Sequence, residues 1–198
     1  MKHLIKIITI AVAFSIQFAT AQRINVNDKA PTFTAIDVSG TKIDLEKYKG
    51  KKVFLAFFRY ASCPVCNFRM HDVLENYDQI KASGYEIIAV YESTNETLNK
   101  FLKDENVPFP IIGDSELVLY KKYRVEKSFW RTIGSIFDKK VTNNKTKGKE
   151  LFKGKKLKKD GNLTRIPADF LIDENGIITT AYYGTDIGDH LPFEQIIK

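Results

Sequence analysis

Residues 53–66, VFLAFFRYASCPVC, constrain the fold of this chain more than any other segment. The segment opens with a near-continuous apolar run, which is typical of a strand covered on both faces. Beyond the two cysteines, apolar residues recur at Met70, Val73, Leu74 and Tyr77, the spacing of an amphipathic helix. The segment therefore predicts a central strand, a short loop and a helix that begins beside the cysteines.

The rest of the chain alternates between strand-like and helix-like patterns. Strand patterns lie at 85–92 and 108–114, and a helical pattern follows each of them, at 94–107 and 115–125. Such alternation is typical of an α/β domain with parallel neighbouring strands. Short β-like runs flank turn residues at 39–40 and again at 173–176, which predicts an N-terminal and a C-terminal hairpin. A last helix is predicted at 191–198.

A segment at about 124–163, before the C-terminal hairpin, is interpreted as an insertion. Its first part, SFWRTIGSIF, has apolar residues at helical spacing, and we expect this helix to pack on the domain. Residues 139–160 contain ten lysines against Glu150 and Asp160 and show little periodicity, which predicts a mobile basic loop. Contact of this helix and the basic run with anionic lipid is the alternative to packing.

Residues 1–21, MKHLIKIITIAVAFSIQFATA, have the layout of a secretory signal peptide. A membrane anchor is the alternative, but the apolar part is shorter than the roughly 20 residues that a span needs. We therefore predict cleavage after Ala21, export to a periplasmic or extracellular space, and a single domain over residues 22–198. Because an exported protein meets little nucleic acid, the formal net charge of +7 does not predict a nucleic-acid partner.

Cys63 and Cys66 are the only cysteines of the chain. A disulfide between them would close a very short loop and stabilise the fold little, so their spacing points to chemistry. Pro64 suits the first helical position, which places Cys63 at the N-cap. Unpaired N–H groups and the helix dipole stabilise a thiolate there. Cysteines three apart on a helix also lie close enough for a disulfide, so the pair is predicted to cycle between dithiol and disulfide.

A metal site is the competing interpretation of the C-x-x-C pair. A closed zinc site needs four ligands, and beyond residue 21 the chain adds only His71 and His190 to the two cysteines. A Cu(I) or other metal carrier using the two cysteines and a histidine is the alternative that we keep. The chain has no haem, flavin or nucleotide motif, and we predict neither a cofactor nor a bound metal.

The chain resembles the thioredoxin-fold superfamily, and within it the AhpC/TSA peroxiredoxin-like branch. The resemblance rests on the cysteine segment and on three others: APTFTAIDVSGTKIDLEKYKGKKVFLAFFR, PFPIIGDSELVLYKKYRV and IPADFLIDENGIITTAYYG. It implies an α/β fold of three layers, with a central mixed sheet flanked by helices. In thioredoxin-like proteins a cis-proline opens the strand that faces the redox cysteines, and the resemblance implies Pro167 for this role. The backbone of Ile166 would then meet an extended substrate.

The resemblance leaves the order of the reaction open. In the thioredoxin scheme Cys63 is an exposed attacker and Cys66 resolves the mixed disulfide. In the peroxiredoxin scheme Cys66 aligns with the cysteine that attacks peroxide, and Cys63 condenses with the resulting sulfenic acid. Both schemes end in the same disulfide.

This chain also departs from the peroxiredoxin pattern P-x-x-x-T-x-x-C. Arg59 stands where the proline is expected, Cys63 replaces the threonine, and Pro167 occupies the position of the usual activating arginine. Arg59 or Arg165 could take over that task, because a guanidinium near a thiolate lowers its pKa whichever strand supplies it. We expect Arg165, however, to be solvated at the surface.

The sequence thus predicts an exported thiol-disulfide oxidoreductase or peroxiredoxin-like antioxidant protein. Cys63 and Cys66 are the predicted catalytic residues. The predicted substrate is a peroxide or an oxidised thiol such as a protein disulfide, and the expected partner is an unidentified thiol reductant protein. The residues expected to position the substrate are Arg59, Tyr60, Ile166 and Pro167.

Overall fold

The structure, a computed structural model, describes residues 23–155 and 159–197. The predicted signal peptide and its cleavage site lie outside the described residues. No helix in the described ranges combines the length and the apolar character needed to cross a membrane.

A mixed five-stranded sheet forms the centre of the described fold, with strand order β5-β4-β3-β6-β7. Its strands are β3 (Lys52–Phe57), β4 (Tyr85–Tyr91), β5 (Ile111–Gly113), β6 (Ala168–Ile172) and β7 (Ile178–Tyr183). β3 pairs in parallel with β4 and antiparallel with β6. The apolar run VFLAFF therefore forms the middle strand, as predicted, and β6 and β7 form the predicted C-terminal hairpin. The N-terminal hairpin is a separate pair, β1 (Thr34–Ile36) and β2 (Lys42–Asp44).

The described residues contain six α-helices, which cover both faces of the sheet. They are α1 (Pro64–Glu75), α2 (Tyr77–Ala82), α3 (Asn95–Leu102), α4 (Val118–Lys122), α5 (Phe129–Phe137) and α6 (Lys139–Leu151). Along β3, Phe54 and Ala56 join the hydrophobic cluster formed with α1, α2 and α3, whereas Val53, Leu55 and Phe57 join the cluster formed with α4. A helix–sheet–helix arrangement follows, which confirms the predicted fold class.

The prediction of a mobile loop over residues 139–160 is wrong for its first part, which forms α6. The Asp138 side chain caps this helix by accepting a hydrogen bond from the N–H of Val141 at 2.9 Å. Val141 and Gly148 are buried, and α6 lies so close to α1 that a Cβ on Gly148 would stand 1.9 Å from the carbonyl oxygen of Pro64. α6 buries only these two residues, and its lysines face solvent. The sequence of this helix therefore shows no broad apolar stripe.

The expectation that α5 packs its apolar face on the domain is also wrong. Of its residues only Ser135 is buried. Its large apolar residues are mostly exposed: Phe129, Trp130, Ile136 and Phe137. The predicted C-terminal helix is reduced to a 3₁₀ turn at Phe193–Gln195, which follows Pro192.

Candidate redox site

The two cysteines lie where the loop after β3 enters α1. Cys63 is the N-cap of α1 and has extended backbone angles, and Pro64 is the first helical residue, as predicted. The N–H of Cys63 donates to the carbonyl oxygen of Tyr60 at 3.0 Å. The N–H of Ala61 donates to Ser93 Oγ at 2.9 Å, which ties the loop to the end of β4. These bonds hold the cysteine loop in one conformation.

Cys63 Sγ is the centre of the polar contacts at this site. Cys66 Sγ donates its S–H to Cys63 Sγ over 2.8 Å, and Arg59 Nη1 donates to the same sulfur over 3.4 Å. The other end of the guanidinium donates to the carbonyl oxygen of Leu163. Both donors favour the charged form of the sulfur that accepts from them, so the arrangement is built for a thiolate at Cys63.

The pKa values of the two thiols are therefore shifted in opposite directions. Burial by itself would raise the pKa of Cys63, but the Cys66 thiol and the Arg59 guanidinium outweigh it and lower this pKa to about 6. The amides of Cys66 and Val65 act in the same direction, although the thiol makes no full capping hydrogen bond. Burial raises the pKa of Cys66 well above its ordinary value, and the negative Cys63 raises it further. Cys63 is therefore the more acidic of the two thiols.

Both cysteines are buried, each with 1% of its surface exposed. The expectation of an exposed attacking Cys63 is therefore wrong. Two parts of the insertion pack around the start of α1. On one side, Gly148 of α6 lies against Pro64. On the other, Asp160 accepts a hydrogen bond from Ser93 at 2.8 Å, and a Cβ on Gly161 would lie 2.6 Å from Cβ of Tyr60.

The structure brings Arg59 and Tyr60 to the cysteines, as predicted. Tyr60 is buried, and the Arg59 guanidinium lies over its ring at 5.3 Å from the centroid. Burial raises the pKa of Tyr60 to about 12, so it stays neutral at any physiological pH. The ring of Tyr60 thus packs against the guanidinium and is not open to solvent. The backbone carbonyl oxygen of Tyr60 accepts the hydrogen bond from the amide of Cys63.

Ile166 and Pro167 lie at the same end of the sheet but do not take the expected form. No peptide bond in the described residues is cis, so the prediction of a cis-proline at Pro167 is wrong. The amide of Ile166 donates to the carbonyl oxygen of Glu126 at 3.1 Å, and Lys127 forms an antiparallel bridge with Arg165. Residues of the insertion thus occupy the backbone edge where a substrate was expected, and this pairing leads the chain into β6 in an extended form.

Arg165 is not the solvated residue that the sequence suggests. It is buried, and its Nε donates to Glu92 Oε2 at 2.7 Å in an ion pair with almost no exposure on either side. A second buried polar pair joins His190 Nδ1 to the Asp169 carboxylate at 3.0 Å. The sequence gives one signal for these buried polar residues: Glu92 stands at the end of an apolar strand.

Replacing Arg59 by methionine is expected to raise the pKa of Cys63 from about 6 toward its ordinary value, because the cation that stabilises the thiolate is lost. The measurement is the pH dependence of Cys63 alkylation, followed by mass spectrometry of the modified peptide. Arg59→Lys keeps a positive charge and is expected to recover part of the shift. An unchanged pH midpoint in Arg59→Met would contradict this role.

Among residues 23–155 and 159–197, no group of three or more His, Cys, Asp or Glu side chains could hold a metal ion. His190, one of the two histidines considered for copper, has its Nδ1 engaged by Asp169. The described residues thus place no third His, Cys, Asp or Glu ligand beside the two cysteines.

Comparison with known proteins places this chain among redox enzymes. Peroxiredoxin Bcp of Escherichia coli is 26% identical over 117 residues, which cover 58% of this chain and 73% of that protein. Thiol-disulfide oxidoreductase ResA of Bacillus cereus is 33% identical over 109 residues, which cover 54% of this chain and 62% of ResA. The relatives do not favour the metal-carrier alternative, and they support a thiol oxidoreductase.

The solved structures bear on the fold of this chain, and the family comparison bears on its family. The crystal structure of Peroxidoxin BcpB from Mycobacterium tuberculosis matches with a TM-score of 0.61 at 12% identity, over 88% of this chain and 95% of that one. At such low identity the likeness shows the thioredoxin-like fold alone. A sequence model described as AhpC/TSA family matches residues 26–181. This chain, a thiol oxidoreductase, therefore belongs to the AhpC/TSA family.

Proposed function

We propose that this protein is an exported thiol peroxidase in which Cys63 attacks a small peroxide and Cys66 resolves the oxidised sulfur. The observation that carries the proposal is the pair of contacts on Cys63 Sγ, one from Arg59 and one from the thiol of Cys66. They lower the pKa of Cys63, whereas the pKa of Cys66 is raised. This order differs from the peroxiredoxin alignment, in which Cys66 would attack first.

The proposed cycle balances as a two-electron reaction. The Cys63 thiolate attacks one peroxide oxygen, the O–O bond breaks, and the leaving oxygen takes a proton to form water or an alcohol. Cys63 is then a sulfenic acid. The Cys66 thiol, 2.8 Å away, attacks this sulfur, forms the disulfide and releases water. Two thiols of a reductant return the pair to the dithiol.

The burial of the site favours a small oxidant. With each cysteine 1% exposed, a folded protein could not bring a disulfide to Cys63 unless the residues around the site moved apart. A peroxide is small enough to reach the sulfur through local fluctuations. Exchange with a protein disulfide is the second candidate, since the similarity to ResA favours it. It would require the buried site to admit a protein in the oxidising step as well as in the reducing step.

Cys63→Ser and Cys66→Ser variants test the proposed order. Cys63→Ser is expected to abolish peroxide consumption, because the serine hydroxyl cannot form a nucleophilic anion at neutral pH. Cys66→Ser is expected to react once and stop at a sulfenic acid on Cys63, which a dimedone adduct would locate. A sulfenic acid trapped on Cys66 in Cys63→Ser would overturn the order. Retained protein-disulfide reduction with no peroxide turnover in the wild type would favour the second candidate.

Export rests on the pattern of residues 1–21, with their lysines, apolar stretch and small-residue ending. The expected result is a protein recovered from the extracytoplasmic fraction whose mass corresponds to a chain that starts at Gln22. A full-length chain in the soluble cytoplasmic fraction would contradict export without affecting the redox proposal.

A further inference from the structure

Helix α5 presents an apolar surface that nothing in the described residues covers. The exposed fractions are 59% for Phe129, 79% for Trp130, 67% for Ile136 and 81% for Phe137. The rings of Phe129 and Trp130 touch edge to face, with centroids 5.4 Å apart. Single exposed apolar residues are normal on a protein surface, but large apolar side chains gathered on one short helix indicate a binding surface.

Positive charge flanks this apolar surface at both ends. Exposed Lys127 stands two residues before Phe129, and exposed Lys139 and Lys140 follow Phe137 at the start of α6. α6 continues with further exposed lysines: Lys145, Lys147 and Lys149. Of the nearby carboxylates, Asp138 caps α6, Glu126 pairs with arginines 23 and 131, and Asp186 is close enough to Lys140 for their charges to interact. The surface that remains is apolar in the middle and cationic around it.

We propose that α5 and the start of α6 bind the surface of an anionic lipid bilayer, with the aromatic residues at the level of the headgroups. A helix with aromatic residues on one face and lysines beside them is the pattern of interfacial membrane binding. Each lysine near an anionic surface adds to the attraction. A second protein is a poorer match, because lysine is depleted in protein–protein interfaces.

The single tryptophan of the chain makes the proposal directly measurable. Because Trp130 is the only tryptophan, the fluorescence of the full chain reports on α5 alone, whatever residues 1–22 do. On adding phosphatidylglycerol-containing vesicles, Trp130 emission is expected to shift to shorter wavelength and to become protected from acrylamide. Vesicles of phosphatidylcholine alone are expected to give a much smaller shift, and added salt is expected to reverse the binding.

Substitutions separate the apolar and the electrostatic contributions in vesicle sedimentation. Phe137→Ser is expected to weaken binding about tenfold or more, and Lys139→Gln about fivefold. Val118→Ser is the matched control, because Val118 is an apolar residue with 58% exposure on α4, and binding is expected to stay unchanged.

Three outcomes would overturn the proposal. The first is an unchanged Trp130 emission with anionic vesicles. The second is binding to anionic and zwitterionic vesicles with equal strength. The third is self-association in sedimentation velocity that Phe137→Ser abolishes, together with no vesicle binding, which would assign the surface to a second copy of the chain. Retained peroxide turnover in Phe137→Ser would separate this surface from the redox site.

Discussion

Replacement of Glu92 by glutamine is expected to lower the free energy of unfolding by about 3–5 kcal/mol. Glu92 and Arg165 form an ion pair whose side chains are 8% and 4% exposed. Glutamine can still accept the hydrogen bond from Arg165 Nε, but it leaves a buried guanidinium without a counter-charge. Arg165 cannot escape to solvent, because its Nη1 donates to the carbonyl oxygen of Val125 at 2.7 Å and its guanidinium lies over the ring of Tyr120.

Urea unfolding measures this loss as a lower midpoint with an unchanged slope. Glu96→Gln is the matched control, because the ion pair of Glu96 with Lys100 on α3 is fully exposed to solvent and little change is expected. The double variant Glu92→Met/Arg165→Met removes both charges and is expected to recover most of the stability. A loss below about 1 kcal/mol in Glu92→Gln would show that the buried pair contributes little.

Gly148→Ala is expected to destabilise the protein even though alanine is the better helix former. In an exposed helix interior the change from glycine to alanine stabilises by about 1 kcal/mol. At position 148 the new Cβ would stand 1.9 Å from the carbonyl oxygen of Pro64 and 2.8 Å from its carbonyl carbon. Both atoms belong to the backbone, so α6 must move away from α1. Overpacking of this kind costs about 1–3 kcal/mol, which outweighs the gain in propensity.

Gly134→Ala provides the control for this prediction, because a Cβ on Gly134 of α5 would meet no atom within 4 Å. It is expected to stabilise by about 0.5–1 kcal/mol, so the two glycines should shift the unfolding midpoint in opposite directions. Gly148→Ala should also speed Cys63 alkylation about tenfold, if the open state gains about 1.4 kcal/mol. Stabilisation by Gly148→Ala with unchanged alkylation would contradict the expectation that the packing of α6 on α1 limits access to Cys63.

The features that the sequence predicts are those that depend on local pattern. The apolar run before the cysteines predicts β3, because only a strand covered on both faces tolerates such a run. Pro64 predicts the helix start and hence the N-cap position of Cys63, since proline fits the first turn. The attraction between Arg59 and the cysteines could be predicted in part, because only three residues separate Arg59 from Cys63.

The features that the sequence misses depend on contacts between distant segments. Arg165 finds its counter-charge 73 residues away, at Glu92, so its sequence neighbours do not reveal its burial. α6 packs through a glycine, the residue that lowers helix propensity most after proline, and the pattern therefore indicates a loop. The pairing of Ile166 with Glu126 likewise joins residues 40 positions apart, which no local pattern reveals.

Backbone hydrogen bonds between the two ends of the insertion affect how α6 can move. Ser128 donates to Thr164 at 2.8 Å and Ile166 donates to Glu126 at 3.1 Å, so the two ends of the inserted segment are clasped side by side next to the sheet. This clasp does not involve α6. The helix can therefore move relative to α1 while the sheet stays paired, and such a movement would loosen the start of α1, where the two cysteines lie.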